Sequence, residues 1–167
     1  MNKEETVEFL QEEHRKLDFV ITSLHLEELV QYHIVKAWTI KDILAHLAAW
    51  NQELTKAIGL VLDKKDIWFR TKNEEEFNKI QVTLRKSRSV AEVIDEWENS
   101  FTKMIEKIES ISDDLWNFDS GFKWKDGNNV TVSSLFGWRK RNLGHEGWHA
   151  FQIKDYFESD RCTCRVY

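Results

Sequence analysis

Trp38-Thr-Ile-Lys-Asp-Ile-Leu-Ala-His-Leu-Ala-Ala-Trp50 decides the fold of this chain. Thr39 and Asp42 stand at capping-box spacing, in which the hydroxyl accepts from the third amide and the carboxylate reaches back to the cap. Behind that cap Ile40, Ile43, Leu47, Trp50 and Leu54 recur at steps of three and four, and Ile58 and Val61 continue the stripe. One apolar stripe with charged flanks is the signature of a bundle helix. Val7, Leu10, His14, Leu17, Ile21 and Leu24 repeat the pattern, as do Val90, Ile94, Trp97, Phe101, Met104, Ile108 and Ile111. A looser run follows at Leu135, Trp138, Leu143, Ala150, Ile153 and Phe157, with Thr131 as its cap. The spacing predicts an all-α four-helix bundle with helices at roughly 3–24, 39–63, 89–111 and 132–158. No segment alternates with period two for long enough to argue a strand, although Phe122-Lys-Trp124 and Val130-Thr-Val132 around Asp126-Gly127 allow one short hairpin.

The 167 residues read as a single domain over 1–160 and a C-terminal tail over 161–167 that carries Cys162 and Cys164. There is no proline, so nothing forces a helical ladder to break. With 24 Lys and Arg against 29 Asp and Glu, the formal charge is −5, which argues against a nucleic-acid partner. Two cysteines at the extreme end make neither a disulfide scaffold nor a zinc clip. The apolar runs are too short for a membrane span or a signal peptide, so the expectation is a soluble protein of the reducing cytoplasm. A glycine-rich phosphate loop and a serine elbow are both missing, which removes support for nucleotide chemistry and Ser-His hydrolysis. Eight Trp and six His nevertheless exceed what a plain small core needs.

The connection at about 64–88 contains Asn73-Glu-Glu-Glu76, which can start a short helix through Leu84. A connection of this length can cross the bundle, so that the second and third helices run the same way and the second and fourth are antiparallel. His145 and His149 lie about 40° apart on one helical face, a ready clamp for a transition metal. His46 lies about 10 Å past its cap, and His149 about 14 Å from the far end of the fourth helix. Antiparallel packing brings them to one height; parallel packing separates them by roughly 15 Å. Three imidazoles with a position left for water make an open metal centre, which lowers the pKa of a water or holds a thiol as thiolate.

Residues 38–50, followed a hundred residues later by His145-x-x-x-His149-x-x-Gln152-Ile153, resemble the DinB-like superfamily of metal-binding bundles. The stretch from Trp97 to Trp116 and the Trp124 loop are similar to its ClbS/DfsB branch. The resemblance covers essentially the whole chain. It implies an up-down-down-up bundle whose metal ligands are His46, His145 and His149. Zinc or nickel is usual at such sites, with iron or manganese as alternatives. The resemblance also implies a small electrophilic substrate and two reaction types, hydrolysis at the metal or transfer of a low-molecular-weight thiol. It further implies dimers formed through helix faces. The pair Glu146-Gly147 departs from many relatives.

Further residues carry two readings each. Arg139-Lys140-Arg141 is a solvated basic face or an attractor for an anionic substrate or thiol cosubstrate. Asn142 is placed to orient a ligand. Glu53 and Glu146 serve as partners of ring N–H groups, as a general base, or as plain surface carboxylates. Trp50, Trp138 and Trp148 fall near the triad in helical angle and line a dry pocket in the functional reading. His14 is a hydrogen-bonded core histidine or a pocket wall, while His25 and His33 are solvated. The expected function is a metal-dependent hydrolase acting on a small electrophile. A thiol-dependent transferase and a non-catalytic metal-binding stress-response bundle remain as alternatives.

Overall fold

The computed structural model describes residues 1–163, with side chains through residue 159. The tail with Cys162 and Cys164 therefore lies outside the described side chains. In chain order the elements are α1 (Lys3–Thr22), α2 (Glu28–Gln31), β1 (His33–Val35), β2 (Trp38–Thr39), α3 (Ile40–Leu62), α4 (Glu74–Leu84), α5 (Val90–Glu109), α6 (Asp113–Trp116), α7 (Val132–Leu135) and α8 (His145–Thr163), with a 3-10 turn at Trp68–Arg70. The long helices α1, α3 and α5 each begin at a complete capping box, Asn2 with Glu5, Thr39 with Asp42, and Ser89 with Glu92. Asn73 caps α4 by accepting from the Glu75 amide.

Pairwise contacts fix the helix directions. Lys86, just before α5, reaches Asp42 at the start of α3 at 2.9 Å, and Gln52 donates to Glu96 at 2.8 Å; both pairs are separated by 44 residues, so α3 and α5 run parallel. On α1 and α8, Glu13 meets Gly144 while Leu17 and Ile21 share a core with Ala150 and Ile153, so these two are also parallel. His46 faces His149 while Asn51 faces Glu146, so α3 and α8 are antiparallel. The bundle is therefore up-down-down-up, and the connection from α3 through α4 to α5 is the crossover.

Two apolar clusters fill the bundle. One joins Leu17, Ile40, Ile43, Leu44, Leu47, Trp97, Ala150 and Ile153; the other joins Val7, Ile58, Val61, Met104, Ile108, Trp116 and Val132. At the level where they meet, each long helix contributes a polar group: His14, Asn51, Glu146 and the indole N–H of Trp97.

The structure corrects the sequence reading in two places. The helix expected over 132–158 is two elements, α7 and α8, with residues 136–144 as a loop between them. Lys140 and Leu143 exchange both backbone hydrogen bonds at 2.9 Å, around Arg141 and Asn142 at φ +51° and +63°. Two successive left-handed residues cannot propagate a helix. Trp138, Arg139 and Asn142 are thus loop residues, not positions on the fourth helix. The second correction is the hairpin of β1 and β2, which pairs His33 with Thr39 and Val35 with Trp38 where no strand was expected. The other hairpin, around Asp126-Gly127, is present as a single bridge between Lys123 and Asn129.

Candidate metal centre

His46 sits two turns into α3 on a helix that is buried from Asp42 to Asn51. His145 and His149 open α8, one turn apart on the face toward α3. The Nε2 atoms of His46 and His145 are 2.9 Å apart, and the ring centroid of His149 lies 5.5 Å from that of His46 and 5.2 Å from that of His145. One ligand atom from each of the three falls within 4.8 Å of the others. Nδ1 of His46 and Nδ1 of His149 are buried without a hydrogen-bond partner. Burial drives all three imidazoles to the neutral form. It pushes His46 down to about 3, with the charge of His149 adding and the Asn78 side chain opposing. It pushes His149 down to about 4, with the Gln152 side chain opposing and the Lys140 charge adding. It holds His145 well below the ordinary range, helped by the other two rings. Three neutral imidazoles offering lone pairs to one point, with orphaned ring nitrogens, are a donor set that fits a borderline-soft divalent cation.

Aromatic rings wall this cluster. Trp38 lies 5.1 Å from the His46 ring, Trp50 lies 6.5 Å from it, and Trp138 lies 5.5 Å from the His145 ring. The Trp50 indole donates to Asn78 of the crossover helix at 2.8 Å, so α4 closes one side of the site. Beside it is a cavity of about 310 Å³ lined by Val35, Lys36, Trp38, Glu75, Asn78 and Lys79.

The remaining candidates are placed elsewhere. Glu146 is buried and points into the bundle, where Oε1 accepts from Trp97 at 2.9 Å and Asn51 at 3.3 Å, and Oε2 accepts from His14 at 2.6 Å. His14 stacks on Phe101 and also meets Glu98 at 3.2 Å; burial opposes its protonation, but the two carboxylates raise its pKa overall. Glu53 accepts from the Trp68 indole at 2.7 Å and pairs with Lys56 at 3.6 Å. Arg139 caps the loop by donating to the carbonyls of Phe136 and Trp138, and its guanidinium lies 4.0 Å over Phe9. Trp148 stacks on Phe151 under the Lys140 ammonium rather than facing the triad. Asn142 is exposed at the turn, and His25 and His33 are exposed as expected. Gly147 has a packing reason: a Cβ there would lie 1.5 Å from Glu13 Oε2, which accepts from the Gly144 amide at 2.9 Å. Sequence reasoning missed Asn78, Lys36 and Lys79. The two lysines sit in segments with no period that points toward the triad, and Asn78 lies on a helix with one buried residue, Val82.

The fold and site together define a crossover four-helix bundle with a buried three-histidine cluster beside a small cavity. Residues 6–153 match the DinB superfamily, and the chain belongs to that family. No curated protein matches it. Among solved structures it is similar to an uncharacterised protein from Escherichia coli UTI89, at 13% identity and TM-score 0.73 over 96% of this chain and 95% of that one. The colibactin self-resistance protein ClbS, solved in complex with a dsDNA, aligns at 13% identity and TM-score 0.72 over 92% of this chain and 93% of that one. A mycothiol-dependent maleylpyruvate isomerase aligns at 15% identity and TM-score 0.72 over 92% of this chain, which spans 61% of the isomerase chain. The ClbS complex corrects the exclusion of nucleic acid drawn above from net charge. A whole-chain sum says nothing about local fields, and a run such as Arg139-Lys140-Arg141 is positive within an acidic total. Among the described residues no helix is long and apolar enough to cross a membrane.

Proposed function

We propose that this protein is a divalent-metal-dependent enzyme that brings a low-molecular-weight thiol onto a small electrophile. The observation that carries the reading is the convergence of His46, His145 and His149, all neutral, the first and last buried and His145 half-buried, with two orphaned ring nitrogens. A zinc or nickel ion held by His46, His145 and His149 would supply Lewis acidity, lowering the pKa of a thiol toward neutrality without a protein base. That matters because both nominated carboxylates are engaged: Glu53 by Trp68, and Glu146 by His14, Asn51 and Trp97. Trp38, Trp50 and Trp138 pack beside the cluster, and Asn78 fixes the Trp50 ring. The thiol-dependent neighbour favours the same direction. A second reading, hydrolytic opening of an electrophile at the same centre, draws on the likeness to ClbS and needs no thiol. The substrate is a small molecule in both, and a homodimer is the proposed assembly.

The test is turnover of a model electrophile by zinc- or nickel-loaded protein, with and without added thiols. Product formation only with thiol, lost in His46→Ala, supports the first reading. Equal turnover without thiol replaces it by hydrolysis, and no turnover by loaded protein with either nucleophile removes both.

A further inference from the structure

We propose that the cavity beside the histidine cluster is a carboxylate-binding subsite, so that the small molecule reaching the metal centre carries an anionic group at the end away from the reacting atom. This deepens the proposed function, and rests on it only for where the reacting end lies. The cavity shares two residues with the walls of the cluster: Trp38, whose ring packs on His46, and Asn78, which holds Trp50. A molecule in this cavity therefore lies against the Trp38 ring that packs on His46.

Three charged side chains line the cavity, and their chemistry sets what it accepts. Lys36 on the β1–β2 turn and Lys79 on α4 both line it and are exposed. Among the described residues neither ammonium has an ion-pair or hydrogen-bond partner. Glu75, one turn before Lys79 on α4, also lines the cavity, yet it does not pair with Lys79 within 4.0 Å. The lining sums to +1, from three exposed side chains, in a protein of formal charge −5.

Lys36 sits at φ +56° in a two-residue hairpin turn, a position such turns usually give to glycine or asparagine, while Lys64 just after α3 also stands at φ +55°. A lysine there costs about 1 kcal/mol of backbone strain. The side chain so placed packs no core and pairs with no carboxylate, but it borders the cavity next to Trp38. At about 310 Å³ the cavity is at the small end of ligand pockets. It suits one short carboxylate-bearing arm rather than a large ring system.

The test uses full-length, chelator-treated protein and follows the Trp38 indole N–H resonance while titrating succinate or its neutral analogue succinamide. The expected result is that succinate binds at least tenfold more tightly than succinamide, and that the double variant Lys36→Asn/Lys79→Gln loses that preference. Asparagine removes the charge while tolerating the left-handed turn, so the hairpin is retained. Lys103→Met, an exposed lysine on α5, keeps the preference. Equal binding of the two probes, no binding of either, or a double variant that binds like the parent overturns the subsite. Metal content of the same proteins is read separately. Succinate preference without metal uptake keeps the subsite and removes the proposed function; one metal per chain without succinate preference does the reverse.

Discussion

At the scale of single residues, two glycines show how space decides the sign of a substitution. A Cβ on Gly147 would enter the Glu13 carboxylate, the group that accepts from the Gly144 amide just before α8. Gly147→Ala is expected to cost about 2–4 kcal/mol, from overpacking plus a displaced buried carboxylate, read as a lowered urea midpoint. Gly59, inside α3, has open space where its Cβ would go. Gly59→Ala is expected to stabilise by about 0.5–1 kcal/mol in the same assay, because alanine restricts the unfolded chain and favours helix. Nothing in the sequence alone separates these two glycines, since the distinction depends on α1 lying against the start of α8. His46, His145 and His149 were legible earlier, because four-residue spacing and a capped helix fix faces without tertiary knowledge. Glu146 was not: its neighbour His145 suggested a role at the cluster, but a helix turns 100° per residue, and that rotation aims Glu146 into the bundle interior.

At the scale of elements, Glu146 joins the four long helices. It lies on α8 and accepts from His14 on α1, Asn51 on α3 and Trp97 on α5. Glu146→Ala leaves three buried donors unpaired and is expected to cost about 3–5 kcal/mol, with a matching fall in melting temperature. Glu146→Gln keeps an acceptor for Trp97 and Asn51, so it should cost less than half as much while lowering the pKa of His14, followed by NMR titration of its ring protons. A His14 pKa unchanged in Glu146→Gln contradicts the pairing. The helices α1, α3 and α5 were readable from period 3.6, and α3 from its cap as well. The break at 136–144 was not, because the chain has no proline there and the left-handed pair Arg141-Asn142 carries only a weak turn signal. The looseness of the apolar spacing from Leu135 to Phe157 was its trace. The β1–β2 hairpin escaped for a similar reason: its strands are three and two residues long, too short for an alternation to register.

At the scale of the whole molecule, the buried triad makes stability depend on pH. The folded pKa values of His46 and His149 lie near 3 and 4 and that of His145 is also depressed, so these rings stay neutral where the unfolded chain binds protons. Their contribution is fully present above about pH 6.5 and is lost as pH falls toward 4. His14 has the opposite sign: its raised pKa adds stability below about 6.5, which is lost as pH rises through the folded value. Three rings outweigh one, so metal-free protein should show a melting temperature that falls steadily between pH 6.5 and 4; a flat profile contradicts neutral burial of the triad. The crossover topology is what assembles that triad, and it was inferred from connection length and from whether His46 and His149 meet. The measurement that tests the account most directly is metal content of untagged protein after equilibrium dialysis against zinc, with His46→Ala in parallel. About one zinc per chain is expected in the parent and under a tenth of that in the variant, with helical circular dichroism unchanged. No bound zinc in the parent, or full retention in His46→Ala, contradicts it.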